Sequence, residues 1–215
     1  MALTPEQFFL LKLFEFGLGS IALAIMIVLY IIRIKKFYKE MGYINWVRVL
    51  LLLTITVDFI FHNIFNLMNL FTSNILIEYV LSSIWGGQSL SAWSNGFIVM
   101  FGVMLAAYVN KKDSFLFFPV FMQVGAIAFY YITGVFYIEE YFTYIFGGLA
   151  IIALYEAGIR VKDNNALGFA IMYTLQFITV FDVYPIFASV TSSVGYFFGI
   201  LLAAGIFHPF GKEEN

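Results

Sequence analysis

Apolar residues run through this chain in stretches of about twenty, and the polar residues gather between them. At 1.5 Å per residue such a run matches the hydrocarbon thickness of a bilayer, so each predicts a membrane-crossing helix. Seven spans are expected, over 8–33, 46–70, 88–109, 114–133, 138–160, 166–185 and 190–208. The expected fold is all-α, a seven-helix membrane bundle in which 1–215 form a single integral membrane domain. The third span has an indistinct start: 78–110 is too long for one simple crossing, so part of 74–87 is read as an interfacial or bent extension. Proline's missing donor places Pro119 one turn into the fourth span and Pro185 at the end of the sixth.

The basic residues give that bundle an orientation. Arg33, Lys35, Lys36, Lys39 and Arg48 flank the first loop; Lys111, Lys112, Arg160, Lys162 and Lys212 follow on the same side, with only Lys12 opposite. The positive-inside rule then puts the N-terminus outside and the C-terminus in the cytoplasm of a cell membrane. Composition agrees: 62% of residues are hydrophobic and 11% charged, against about a quarter charged in soluble domains. The opening MALTPEQFFLLKLFEFG lacks a positive n-region and a small-residue cleavage site, and reads as mature chain. With a net charge of −2 and no basic patch away from the membrane edge, no nucleic-acid partner is expected. The absence of cysteine excludes disulfides, thiolate catalysis and Cys-bound metals. No cofactor or metal is expected: His62 and His208 make no convincing interhelical haem pair, and no lysine lies in the seventh span to hold retinal. The expected partners are the lipid bilayer and an apolar or cationic small ligand, and a homo-oligomer is allowed.

Ionisable residues inside spans are expensive and usually face the bundle interior. Asp58 and His62 stand one α-helical turn apart near the middle of the second span, and Asn63, Asn66 and Asn69 continue the polar stripe. A carboxylate beside an imidazole can relay a proton or cation; the same pair can also simply bond helices together. Glu15, Glu78, Glu139, Glu140 and Asp182 map to the outer half, an arrangement that attracts cations or reflects interfacial acids in water. The third span opens with GGQSLSAWSNG, whose Gln88 and Asn95 either pack helices or line a substrate path. Gly17, Gly19, Gly147 and Gly148 read as packing glycines, and Glu156 with Arg160 as an (i, i+4) ion pair. The ion- or ligand-binding set expected is Asp58, His62, Asn66, Gln88, Asn95 and Asp182.

Two stretches, TSNILIEYVLSSIWGG at 72–87 and TGVFYIEEYFTYIFGG at 133–148, share Thr, Ile-Glu, a later Ile and Gly-Gly in register, a sign of internal duplication. The run Tyr131-Ile-Thr-Gly, Ile138-Glu139-Glu140 and Leu154-Tyr155-Glu156 resembles the signature region of small integral-membrane lycopene cyclases, although Tyr137 replaces the proline of that motif. The resemblance implies a seven-helix membrane enzyme in which Glu139 and Glu140 supply the proton that starts isoprenoid cyclisation. Three functions therefore stand open: passage of a cation or small solute, acid/base chemistry on a lipid or isoprenoid, and a non-catalytic subunit or receptor-like scaffold. In a helix, neighbours point about 100° apart, so at most one of Glu139 and Glu140 faces the bundle squarely. Glu139 is expected to be that one, because 72–87 keeps its counterpart Glu78 and lacks the second acid.

Overall fold

The computed structural model describes residues 4–71, 90–179 and 184–211, and among these every regular element is helical. The first helix, α1, runs Pro5–Met41. Thr4 and Gln7 form a reciprocal capping box at its start, with Pro5 in the first turn, where no N–H is needed. It ends at Gly42, whose φ of 75° suits a residue without a side chain. The helix therefore overruns the apolar stretch 8–33 at both ends. At roughly 1.5 Å per residue it is ~55 Å long, beyond the ~30 Å of a bilayer core.

The second helix, α2, covers 46–71 and is α-helical over Trp46–Val57, π-helical over Asp58–Ile64 and α-helical again over Phe65–Phe71. Then come α3 (Leu90–Val109), a 3₁₀ turn at Asp113–Phe115, and α4 (Phe118–Thr133). The fifth, α5, spans Tyr137–Val161 with its own π segment at Phe142–Phe146; α6 is Asn164–Thr179 and α7 is Pro185–Ala203. Both internal prolines begin helices. Pro185 opens α7 instead of closing the sixth helix, and Pro119 lies in the first turn of α4, because a first-turn residue has no intrahelical N–H bond to lose. The seventh helix accordingly starts and ends about five residues before the expected 190–208.

Among the described residues, five helical stretches are long and apolar enough to cross a membrane: Pro5–Met41, Trp46–Met68, Asp113–Thr133, Tyr137–Val161 and Pro185–Ala203. Of the other two, α3 is apolar over the shorter Trp93–Val109, and α6 has 16 residues. The first arm of the expected repeat, 72–87, lies outside the described residues, as do Glu78, Gln88 and Asp182.

The principal helix contacts close a ring in the order α1, α2, α3, α5, α6, α7 and back to α1, with α4 packed outside against α3 and α5. Small residues bring the helices close. A side chain on Gly19 would strike Asn63 and Tyr196, and one on Gly147 would strike Phe177 and Val99. Gly17 and Gly148, expected to pack likewise, have nothing within 4 Å of a built Cβ, since each sits on the other side of its helix. Glu156 and Arg160 pair at 2.9 Å as their spacing predicts. At the same end, Arg33 donates from Nη1 to the carbonyls of Leu202 and Ala203 at 3.0 and 3.2 Å, capping α7 from α1. Replacing Arg33 by Met keeps much of the apolar stem but removes both bonds; a cost of about 1–2 kcal/mol is expected, read as a Tm lowered by about 2–8 °C in detergent.

Candidate functional site

Within the ring lies a partly open cavity of about 290 Å³. Thr54, Ile55, Asp58 and His62 reach it from α2, Asn95 and Ile98 from α3, and Met172, Gln176 and Thr179 from α6. Leu23 of α1 and Tyr196 of α7 complete the wall. A second, smaller space of about 50 Å³ shares Asn95, Ile98 and Gln176 with the first and reaches Thr143 of α5. Five helices of the ring thus line the larger space, α5 reaches only the smaller one, and α4 contributes to neither.

The π segment of α2 arranges this wall. The backbone bonds of a π turn join residues five apart, and Asn63, five residues after Asp58, reaches back to it. Asn63 is fully buried, and its Nδ2 donates to Asp58 Oδ1 at 3.4 Å and to the Tyr196 hydroxyl oxygen at 2.8 Å. Tyr196 lies across from it on α7, its hydroxyl within 3.1 Å of Asn63 Oδ1. The widened turn still leaves Asp58 and His62 on the same cavity. His62 rests edge-on against the Phe16 ring, 6.0 Å between centroids, and its buried Nδ1 has no hydrogen-bond partner. The α-helical stripe expected from Asp58 through Asn66 is therefore broken: Asn66 is half-buried and does not line the cavity, because five-residue turns rotate every later position around the helix.

Further along the same helix interface, Glu15 of α1 is buried and held from two sides. Lys12 pairs with its Oε2 at 2.9 Å, and Ser189 of α7 donates to that oxygen at 2.6 Å. One member of the outer acidic set is thus neutralised locally. On α6, Gln176 turns toward α7, donating to the Ser192 carbonyl and accepting from the Ser192 hydroxyl, both at 3.2 Å.

A separate polar group lies outside the ring, where α3, α4 and α5 meet. Glu139 is 1% exposed and Gln123 fully buried, and Gln123 Nε2 donates to Glu139 Oε1 at 2.8 Å. Both press on the bare Cα of Gly96, where any side chain would overlap them. Glu139 Oε2 and Gln123 Oε1 are buried without partners. Nearby, the buried Trp93 ring stands edge-on to Tyr130 and Phe136, with centroids 5.3 and 5.0 Å away. Glu140 is exposed, so the two adjacent acids point to different environments and do not form a facing pair.

Of the expected binding residues, the structure brings Asp58, His62 and Asn95 together and leaves Asn66 aside; Gln88 and Asp182 are outside the described residues. Thr54, Gln176, Thr179 and Tyr196 of the wall, and Gln123 and Gly96 beside Glu139, were not singled out by the sequence. Each is a lone hydroxyl, amide or glycine in an apolar run, and only the helix order shows which of them meet. No family model, curated protein or solved structure matches the chain.

Proposed function

We propose that this multi-pass membrane protein crosses the bilayer seven times, with its N-terminus outside and its C-terminus in the cytoplasm, and carries a cation or small polar solute through the central cavity. The observation that supports this best is the cavity itself. It is lined by five helices of the ring, and Asp58 is its sole carboxylate among the described residues. A charged group kept inside an apolar bundle costs several kcal/mol, and such groups commonly mark ion or substrate pathways. The positions of Arg33, Lys35, Lys36, Lys39 and Arg48 around the first loop favour this orientation, as do Lys111, Lys112, Arg160 and Lys162 around later ones.

The test is solute flux into proteoliposomes. Asp58→Asn keeps the shape and removes the charge, and flux is expected to fall at least about tenfold, the equivalent of 1.4 kcal/mol of lost stabilisation. Unchanged flux, with the variant still folded, would sink the relay. Loss of stability without any wild-type flux would favour a scaffold.

A second reading follows from Glu139, whose inward carboxyl has one oxygen without a partner. As a membrane enzyme of the kind lycopene cyclases represent, the protein would use Glu139 as general acid, with Glu140 outside the reacting site. Expression in lycopene-accumulating cells gives a colour readout, and Glu139→Gln would remove the change.

A further inference from the structure

We infer that the central cavity binds a small organic cation, an ammonium head on a compact apolar body, and not a bare metal ion. This rests on the reading of the cavity as a ligand site and adds the chemistry of what it takes. Asp58 and the two threonines of the wall offer acceptors, while His62 and Asn95 bring nitrogens that can also donate. Thr54 donates its hydroxyl proton to the Leu50 carbonyl at 2.9 Å, and Thr179 donates its own to the Gln176 carbonyl at 2.6 Å. Their remaining lone pairs are acceptors only. Gln176 has its amide engaged with Ser192, and Tyr196 is tied to Asn63. Asp58 brings a carboxylate whose one side-chain donor, Asn63, stands 3.4 Å away, a long contact. An ammonium group matches the carboxylate and hydroxyl acceptors, because it brings three N–H donors and a positive charge.

The rest of the wall sets the body of that ligand. Leu23, Ile55, Ile98 and Met172 form an apolar side facing the polar one. A hard metal ion wants about six oxygen ligands in a closed shell, and no group of three His, Cys, Asp or Glu side chains that could hold a metal occurs among the described residues. At roughly 30 Å³ per water, a cavity of about 290 Å³ has room for about ten waters or a ligand of similar heavy-atom count. A four- or five-carbon primary amine, with five or six heavy atoms, fits with space for about four waters.

The experiment is thermal unfolding of the purified full chain in detergent, with isobutylammonium, sodium, potassium and choline chlorides at equal ionic strength, and with isobutanol. Isobutylammonium is expected to raise Tm by about 3 °C or more over choline at millimolar concentration, while sodium, potassium and isobutanol do not. Asp58→Asn should abolish the shift, and Ile98→Phe, which fills the cavity and keeps every charge, should abolish it independently. A shift from sodium or potassium and none from the amine overturns the inference in favour of a metal ion. An equal shift from isobutanol overturns it because charge is then not read, a shift that survives in both variants places binding elsewhere, and no shift from any probe also overturns it. Flux of sodium or potassium in proteoliposomes without amine binding would defeat this inference and leave the transport reading standing; amine binding without flux of any solute would do the reverse.

Discussion

Replacing Gly96 by alanine is expected to cost about 3 kcal/mol and to lower Tm by about 6–12 °C. The added carbon would overlap Glu139 Oε1 and stand 2.7 and 2.8 Å from the two amide atoms of Gln123. Neither group can yield easily, since both are fully buried between α3, α4 and α5. Overpacking a tight core costs about 1–3 kcal/mol by itself. Forcing Gln123 from Glu139 adds the penalty for a buried carboxyl that has lost its one hydrogen-bond donor, about 1–3 kcal/mol or more. The mechanism has a direct check. Gln123→Ala clears the amide, so the double variant Gly96→Ala with Gln123→Ala should recover part of the loss. A single variant as stable as the parent would mean that α4 can move away from α3 without cost. The result also bears on α4 itself, which sits outside the ring and meets it through this buried pair and the aromatic contacts of Trp93.

The helical class was legible because a bilayer imposes a length and an apolar content on each element, and both can be counted along the chain. Glu139 is buried, as expected from the 100° separation of neighbours in a helix together with its match to Glu78 in the suspected duplication. What failed was the assumption that the period stays constant. The π segments at Asp58–Ile64 and Phe142–Phe146 lie in sequences, DFIFHNI and FTYIF, with nothing to distinguish them from α-helix. The first of them lets Asn63 reach Asp58 and leaves Asn66 off the cavity. Pro185 was ambiguous for a different reason: proline stops one helix and starts the next equally well, and only the cap shows which. The ring order was not legible at all. Chain neighbours α3 and α4 do pack together, yet the cavity closes through α3 against α5, a contact no local pattern encodes.

Gly19→Ala is the second large effect expected, and it tests the cavity wall as well as its packing. Gly19 of α1 lies against the bond between Asn63 of α2 and Tyr196 of α7; a Cβ there would meet Asn63 Oδ1 and would stand 2.7 and 2.9 Å from two Tyr196 ring carbons. The cost is expected to be about 2 kcal/mol, because the ring must shift and the hydrogen bond from Asn63 Nδ2 to Tyr196 must lengthen. Gly17→Ala is the matched control. It lies two residues away with nothing within 4 Å, so alanine should be neutral or stabilise α1 by up to about 1 kcal/mol. Thermal unfolding of the pair separates helix propensity from the clash. Flux then separates packing from function. Asn63 holds Asp58 at one end and Tyr196 at the other, so displacing it moves the cavity's carboxylate as well as its α7 wall. Flux in Gly19→Ala should therefore fall several-fold even at temperatures where the variant is fully folded. If flux instead tracks only the folded fraction, Asp58 keeps its position without Asn63, and the π turn serves packing alone.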